Sequence, residues 1–153
     1  DSSGLQGKGI MDCPGVRLPT EAEWEYAYRS GSKTPFYHDG EISACQGVDP
    51  MADKVAWYMA NSGGTNPFAQ LLDNTWGVFD MSGNVWEWCN DWYQEDLGPL
   101  PQTDPMGPVL GTNRTLRGGA FSEEPENLRA AARFLGDPRI HQPNIGFRIV
   151  RTK

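Results

Sequence analysis

A tryptophan-rich run between residues 76 and 92 combines large aromatic side chains with carboxylates. Four of the six tryptophans of the chain fall within it. Trp86 and Trp88 flank Glu87, so burial of the two indole rings would draw the carboxylate out of water. A buried carboxylate needs hydrogen bonds, an arginine or a cation. The run therefore predicts either a polar core or a metal site.

The cysteines are the other groups that could do chemistry. Of Cys13, Cys45 and Cys89, at most one pair could form a disulfide, which leaves a thiol free. Cys89 follows a tryptophan, and we expect it to act as a small buried hydrophobic residue. The two histidines, His38 and His141, stand far apart along the chain and do not have zinc-type spacing.

The composition indicates one loop-rich domain spanning residues 1–153. The chain has 18 glycines and 12 prolines, and 38% of its residues are hydrophobic, which is low for a helical bundle. A chain of this length can bury a core without disulfides. Its apolar runs are shorter than the roughly 20 residues of a membrane-spanning helix, so we expect no membrane insertion.

Charge is distributed unevenly along the chain. Residues 1–113 carry 5 Lys+Arg against 16 Asp+Glu, whereas residues 114–153 carry 8 against 4. Seven of the eight cations in this basic tail are arginines, which suit bidentate, partly buried pairing with carboxylates. We therefore expect the tail to pair with the acidic body. Because the net charge is −7, we do not expect nucleic-acid binding.

A short amphipathic helix is predicted from about residue 21 to residue 29. Thr20 and Glu23 have the spacing of a capping box, in which each side chain satisfies a free backbone amide. Gly31 supplies a stop signal. The face predicted to be buried contains Trp24, Ala27 and Tyr28.

Alternation of apolar and polar residues predicts strands over residues 85–89, 115–121 and 145–150. Residues 127–134 are ambiguous, because alanine favours a helix whereas the alternating pattern suits a strand. Residues 31–75 and 94–113 are rich in turn-forming residues and read as loops. A brief strand near residues 55–58 is the exception.

Four motifs follow one another along the chain. They are Arg17-Leu-Pro-Thr-Glu-Ala-Glu-Trp-Glu-Tyr-Ala27, Trp76-Gly-Val-Phe-Asp-Met-Ser-Gly-Asn-Val-Trp-Glu-Trp88, Leu116-Arg-Gly-Gly-Ala-Phe121 and Asn144-Ile-Gly-Phe-Arg148. In this order they resemble the signature of the formylglycine-generating, sulfatase-modifying-factor family, over residues 17–151. The resemblance implies that an N-terminal portion of the family domain is missing or reduced.

The fold implied by this resemblance is a variant of the C-type lectin fold. It is an α+β fold, low in regular secondary structure, with short antiparallel strands and one or two short helices. The resemblance also favours strand over helix for residues 128–133.

The resemblance carries an expectation about oxidase chemistry. Active members of the family convert a sulfatase cysteine to formylglycine with oxygen and copper, using two cysteines shortly after the Gly-Gly pair. Two thiolates suit this task because soft sulfur ligands select Cu(I). The corresponding positions here are Glu123 and Leu128, and no cysteine follows Cys89. We therefore expect neither copper binding nor formylglycine-generating activity.

Calcium binding is a second family property that the resemblance implies. The matching donors are the side chains of Asp80 and Glu87 and the backbone carbonyls of Gly83 and Val85. All are hard oxygen donors, as Ca²⁺ requires, so a structural Ca²⁺ site is predicted. The alternative is that Glu87 accepts hydrogen bonds from backbone amides or from an arginine such as Arg148.

The face that carries the oxidase cysteines in the family is the predicted ligand-binding pocket. Its predicted lining is Ser122, Glu123, Glu124, Glu126, Arg129 and His141. We expect a binding or accessory module for a protein, glycan or other small-molecule ligand, because the scaffold also resembles the variable proteins of diversity-generating retroelements. Two alternatives remain open. The lining could be ordinary solvated loop residues, or the chain could be a divergent enzyme with Glu123 as general acid or base.

Overall fold

The computed structural model describes residues 14–98 and 101–152. Its regular elements are short, as the predicted α+β class requires. In chain order they are β1 (Gly15–Arg17), α1 (Glu21–Arg29), α2 (Ala52–Val55), β2 (Ala56–Trp57), β3 (Ser82–Gly83), β4 (Trp86–Trp92), β5 (Arg114–Arg117), a 3₁₀ helix (Pro125–Leu128), β6 (Phe134–Gly136), β7 (Ile145–Gly146) and β8 (Val150–Thr152). Cys13 lies outside the described residues.

Helix α1 has the predicted bounds and the predicted cap. The Thr20 hydroxyl accepts a hydrogen bond from the Glu23 amide at 3.2 Å, and the Glu23 carboxylate accepts one from the Thr20 amide at 2.8 Å. Ser30, in the left-handed region at φ 42°, forms the C-cap. Trp24 and Tyr28 are fully buried, so one face of α1 is fixed against the core.

The central sheet has the strand order β6-β5-β4-β7. Strand β5 pairs antiparallel with both β4 and β6, whereas β7 runs parallel to β4. A register shift between Trp88 and Trp92 marks an irregularity in the pairing of β4 with β5. Two smaller sheets complete the fold: β1 with β8, antiparallel, and β2 with β3, parallel.

The strand predicted for residues 145–150 divides into two strands that belong to different sheets. Strand β7 pairs with β4, and β8 pairs with β1 near the start of the described chain. Residues 147–149 lie between the two strands. Arg148 in this interval donates hydrogen bonds to Glu87 of β4, so an ion pair interrupts the predicted strand.

The strand predicted for residues 128–133 is wrong. The 3₁₀ helix ends at the start of this segment, and β6 begins only after its end. The buried guanidinium of Arg117 accounts for the difference, because it donates to the carbonyls of Ala130 and Ala132 at 2.6 and 2.7 Å. Carbonyls that bond to a side chain in this way do not form the ladder of a β-sheet.

The two faces of the central sheet pack against different hydrophobic clusters. Side chains alternate along β4, so Glu87 and Cys89 face the main cluster, which contains Trp24 of α1. The smaller cluster lies on the opposite face. It contains Trp86, Leu116 and Ala120, with Trp88 and Ile145 packed against it.

The two described cysteines are free thiols in different environments. Cys89 is fully buried, as expected, and Cys45 is exposed. Burial raises the pKa of the Cys89 thiol well above its ordinary value, so this residue packs as a hydrophobic side chain. Across residues 14–98 and 101–152, no helix combines the length and apolar character needed to cross a membrane.

Candidate functional site

Glu87 lies at the centre of the tryptophan-rich run and is only 7% exposed. Arg148 donates to both of its carboxylate oxygens, from Nε at 2.5 Å and from Nη2 at 2.6 Å. The indole nitrogen of Trp24 donates a third hydrogen bond at 2.6 Å. The polar core, one of the two alternatives predicted for this run, is therefore present, and it joins α1, β4 and the segment between β7 and β8.

Around Glu87 the predicted calcium donors fit a cation poorly. Three hydrogen bonds already use its two oxygens, and an ion there would lie beside the Arg148 guanidinium, a repulsive arrangement. Asp80 keeps more capacity, since one backbone amide donates to its carboxylate at 2.8 Å. The described residues contain no group of three or more His, Cys, Asp or Glu side chains placed to hold a metal. Calcium stays a prediction that rests on Asp80 and the carbonyls of Gly83 and Val85.

Removal of calcium tests that prediction. An ion bound only by the folded state raises the melting temperature, and a stabilisation of about 1 kcal/mol corresponds to a shift of roughly 3 °C. We expect that difference between CaCl₂ and EDTA for the wild-type chain, and none for Asp80→Ala, measured by differential scanning fluorimetry. Equal melting temperatures of the wild type under both conditions would contradict the calcium prediction.

Arginines of the basic tail pair with carboxylates of the acidic body, as the charge distribution predicted. The pairs are Arg117 with Glu21 and Glu25, Arg133 with Glu21, and Arg148 with Glu87. Arg117 is fully buried, and its guanidinium also lies 5.3 Å from the centre of the Trp24 ring. These ion pairs connect the C-terminal part of the chain to α1 and β4.

The two positions that correspond to the oxidase cysteines both have structural roles. Leu128 is fully buried in the main cluster. The carboxylate of Glu123 accepts hydrogen bonds from Trp86 Nε1 at 3.2 Å and from Asn127 Nδ2 at 2.9 Å. A carboxylate held by two neutral donors in this way is a fixed part of the surface loop.

The other residues predicted to contact a ligand lie on the same side of the molecule or in an adjacent loop. Ser122 Oγ accepts from Asn144 Nδ2 at 3.2 Å, Glu124 Oε2 accepts from the Gly47 amide at 2.8 Å, and Arg129 Nε donates to the Glu126 carbonyl at 2.6 Å. His141 is exposed in the loop between β6 and β7. The hydrogen bond from Asn144 brings this loop to the segment that begins at Ser122, so both contribute to one polar surface.

A partly exposed aromatic cluster lies beside this polar surface and was not predicted from the sequence. We call it the aromatic face and define it as Trp86, Trp88 and Phe134. The Phe134 ring stacks on Trp86 with centroids 5.4 Å apart and an interplanar angle of 24°, yet Phe134 is 55% exposed. The pairing of Phe134 with Leu116 in the sheet creates this stack. The stack was not predicted from the sequence, because the strand was predicted over residues 128–133, whereas β6 begins at Phe134.

A cleft of about 600 Å³ lies between α1 and the chain that follows β4. Asp91 lines it and is only 4% exposed. Its carboxylate accepts a hydrogen bond from the Glu21 amide at 2.7 Å and so caps the N-terminus of α1. Burial is the main cause that raises the pKa of Asp91 to about 6, and the charge of Glu21 adds to it. This cleft was not predicted from the sequence, because α1 and the residues that follow β4 lie far apart along the chain.

The raised pKa of Asp91 predicts a pH-dependent stability. The folded pKa of about 6 lies above the ordinary value of about 3.9, so the folded state binds the proton more tightly. Asp91 therefore lowers stability as pH rises from about 4 to about 6. As pH rises across this window, we expect the free energy of unfolding of Asp91→Asn to increase relative to that of the wild type by up to about 2 kcal/mol. Urea denaturation of both chains at pH 4 and pH 7 measures the gain, and an equal difference at both pH values would contradict it.

Together these features define a class of protein: an α+β domain with little regular structure, in which an arginine and a glutamate join the tryptophan-rich strand to the end of the chain. Comparison with known families places it within that class. The family model of the sulfatase-modifying factor enzyme 1-like domain matches residues 4–153, and the chain belongs to this family. The predicted fold, a formylglycine-generating-enzyme-like domain, is confirmed.

The similar proteins include a formylglycine-generating enzyme and a protein kinase. The formylglycine-generating enzyme of Thermomonospora curvata is 36% identical over 152 residues, which cover 88% of this chain and 48% of that protein. A serine/threonine-protein kinase of Chlamydia caviae is 35% identical over 152 residues, covering 94% of this chain and 22% of the kinase. The chain thus spans about half, or less, of the length of these relatives.

Solved structures show the same fold. Treponema denticola variable protein 1 superposes with a TM-score of 0.79 at 33% identity, over 92% of this chain and 49% of that one. PvdO from Pseudomonas aeruginosa superposes with a TM-score of 0.78 at 27% identity, over 92% of this chain and 54% of that one. This chain therefore shares its scaffold with both of these proteins.

Proposed function

We propose that this chain is a protein-binding accessory module built on the sulfatase-modifying-factor scaffold, with the aromatic face as its contact surface. The observation that carries the proposal is the stack of Phe134 on Trp86. A phenylalanine that is 55% exposed yet held in place by a buried indole presents a rigid apolar surface. Aromatic residues of this kind are enriched at the centres of protein interfaces.

The surroundings of the aromatic face support this proposal. Glu123 bonds directly to Trp86, and Ser122 and Asn144 bond to each other in the adjacent loops. An apolar centre beside polar groups has the general arrangement of a protein interface, where the apolar part supplies binding energy and the rim supplies orientation. The predicted contact residues Ser122 and Glu123 therefore have a place in the proposal, as parts of this rim.

The names of the relatives favour a polypeptide as the ligand. The region similar to this chain makes up 22% of the Chlamydia caviae kinase. A chaperone protein of Paenibacillus barcinonensis is 32% identical over 158 residues, which make up 50% of that protein. In such relatives the domain is one part of a longer protein whose name implies action on proteins. These names support a polypeptide as the class of ligand that this chain binds.

The principal alternative is a divergent enzyme that uses Glu123. The hydrogen bonds from Trp86 and Asn127 to its carboxylate favour a structural role instead. A general acid or base needs contact with its substrate and a suitable pKa. Glu123→Gln discriminates between the readings, because it can keep an acceptor for one of those hydrogen bonds while abolishing acid–base chemistry.

Selection from a displayed random-peptide library, with a glycan array in parallel, tests the proposal. We expect the wild-type chain to enrich peptides that no longer bind after Phe134→Ala. Enrichment on the glycan array alone would replace the polypeptide ligand with a carbohydrate. Conversion of a sulfatase-derived cysteine peptide to formylglycine by the copper-treated chain, detected by mass spectrometry, would contradict a binding role without oxidase chemistry.

A further inference from the structure

The cleft beside α1 has the size and the mixed walls of a small-molecule site. Its volume of about 600 Å³ lies within the range of roughly 300–1,000 Å³ that such sites occupy. Tyr26 and Trp92 contribute aromatic walls, and Leu97 and Met106 contribute apolar ones. The carboxylate of Asp91 lines the same space, so a ligand with both an apolar part and a polar end would match it.

The charges around the cleft favour a cationic ligand. Of the acids that line it, Glu21 accepts from Arg133 at 2.5 and 2.8 Å, and Glu25 pairs with Arg29 at 2.8 Å. Asp91 is only 4% exposed. Within the part of the chain that the structure describes, it forms no ion pair. Its one side-chain hydrogen bond comes from a backbone amide. The lining thus contains a buried carboxylate that no described residue pairs with directly, although Arg114 and Arg133 interact with its charge.

A smaller adjoining cleft extends the acidic surroundings. It has a volume of about 340 Å³ and shares Ala22, Tyr26 and Pro105 with the first. Asp104 in its lining adds an exposed carboxylate. A negative potential of this kind attracts cations and disfavours anionic ligands.

We infer that this cleft binds a small organic amine with an apolar body, whose ammonium group pairs with the Asp91 carboxylate. The apolar body lies against the walls at Leu97 and Met106. A metal ion is a worse match, since one carboxylate between apolar walls provides few of the oxygen ligands that hard cations require. The site differs from the aromatic face, although Arg133 of the cleft precedes Phe134 in the chain: Arg133 pairs with Glu21 of α1, whereas Phe134 stacks on Trp86 of the smaller cluster. The inference therefore does not depend on the proposed function.

The charged groups that face Asp91 set the pH range of this binding. Burial and the charges of Glu21 and Glu23 raise the pKa of Asp91, whereas Arg114 and Arg133 interact favourably with its charge. The resulting pKa of about 6 leaves Asp91 ionised at pH 7.5 and mostly protonated at pH 5. An alkylammonium ion keeps its charge at both pH values. Binding should therefore weaken as pH falls through 6.

Titration with n-hexylamine, followed by isothermal calorimetry and by ligand-observed NMR, tests the inference. At pH 7.5 we expect saturable binding to the wild-type chain and at least about tenfold weaker binding of the uncharged n-hexanol, a difference in the range of a charged hydrogen bond. Asp91→Asn should weaken hexylamine binding to a similar degree. Asp39→Asn, which removes an exposed carboxylate outside the cleft lining, is the matched control and should bind as the wild type does.

A second variant separates loss of the site from loss of the fold. Ala22→Phe keeps Asp91 and adds a ring to the wall of the cleft, so it should block binding without changing the circular dichroism spectrum. No hexylamine binding by the wild type, equal affinity for hexanol, or unchanged affinity of Asp91→Asn would each overturn the inference. Affinity that stays constant between pH 5 and pH 7.5 would do the same.

Discussion

Replacement of Arg148 by methionine is expected to lower the free energy of unfolding by about 3–5 kcal/mol, because it leaves a buried carboxylate without its cation. Glu87 is 7% exposed, and its remaining side-chain partner would be the indole of Trp24. Arg148 also donates to the carbonyl of Asp80 at 3.1 Å. Its loss therefore removes the hydrogen bonds that join the segment between β7 and β8 to β4 and to the loop that precedes β3.

Urea denaturation of the variant and the wild type measures this effect. Arg151→Met is a matched control, since it removes the same charge from an exposed position only three residues away. We expect the control to unfold at nearly the same urea concentration as the wild type. If both variants unfolded together, the ion pair would not hold the tryptophan-rich centre.

Replacement of Arg117 by methionine is the second large expected effect, again about 3–5 kcal/mol. The guanidinium is fully buried and bonds to Glu25 and to the carbonyls of Ala130 and Ala132. Removing it leaves these acceptors without their cationic donor. One donor, Nε–H, has no partner among the described residues, so part of the cost of burying this side chain is not offset.

Hydrogen exchange locates the consequence of the Arg117 change. We expect faster exchange of the Ala130 amide, which donates to the Pro35 carbonyl at 2.8 Å, because the segment loses the side chain that holds its carbonyls. Arg139→Met, at an exposed surface ion pair with Asp137, should leave stability and exchange unchanged. Unaltered exchange at Ala130 in Arg117→Met would show that the segment is ordered by other contacts.

Features set by neighbouring residues were predictable from the sequence. Thr20 and Glu23 lie three residues apart and form the capping box of α1 by themselves. The alternation around Glu87 correctly placed β4, although the strand continues to Trp92. Cys89 is buried as its tryptophan neighbour suggested. In each case the physical signal lies within one turn or one strand.

Features set by distant residues were not predictable in the same way. Alternation favoured a strand at residues 128–133, but Arg117 takes the carbonyls that a strand would have used. The alternation of apolar and polar residues is continuous over residues 145–150. The strand is nevertheless interrupted, because Arg148 pairs with Glu87. Asp91 and the walls of its cleft come together only in the folded chain. Local periodicity contains no information about which distant charge a residue will meet.

The sequence predicts that this chain keeps the scaffold of the family without its oxidase chemistry. Ion pairs at Glu87 and Arg117 hold the scaffold, whereas Glu123 and Leu128 occupy the positions that correspond to the oxidase cysteines. Because one fold can carry different functions, such a scaffold can also present a surface for binding. Phe134, stacked on Trp86 and open to solvent, is the part of that surface with the most distinct geometry.

The affinity of a library-selected peptide for three chains tests the binding role of the aromatic face. The chains are the wild type, Phe134→Ala and Phe68→Ala, the last removing an aromatic ring that is 83% exposed on a different loop. We predict that Phe134→Ala weakens binding at least about tenfold, as truncation of an interface hot spot does, while its circular dichroism spectrum and that of Phe68→Ala stay native and Phe68→Ala binds normally. Equal affinity of the wild type and Phe134→Ala would contradict the assignment of the aromatic face as the binding surface.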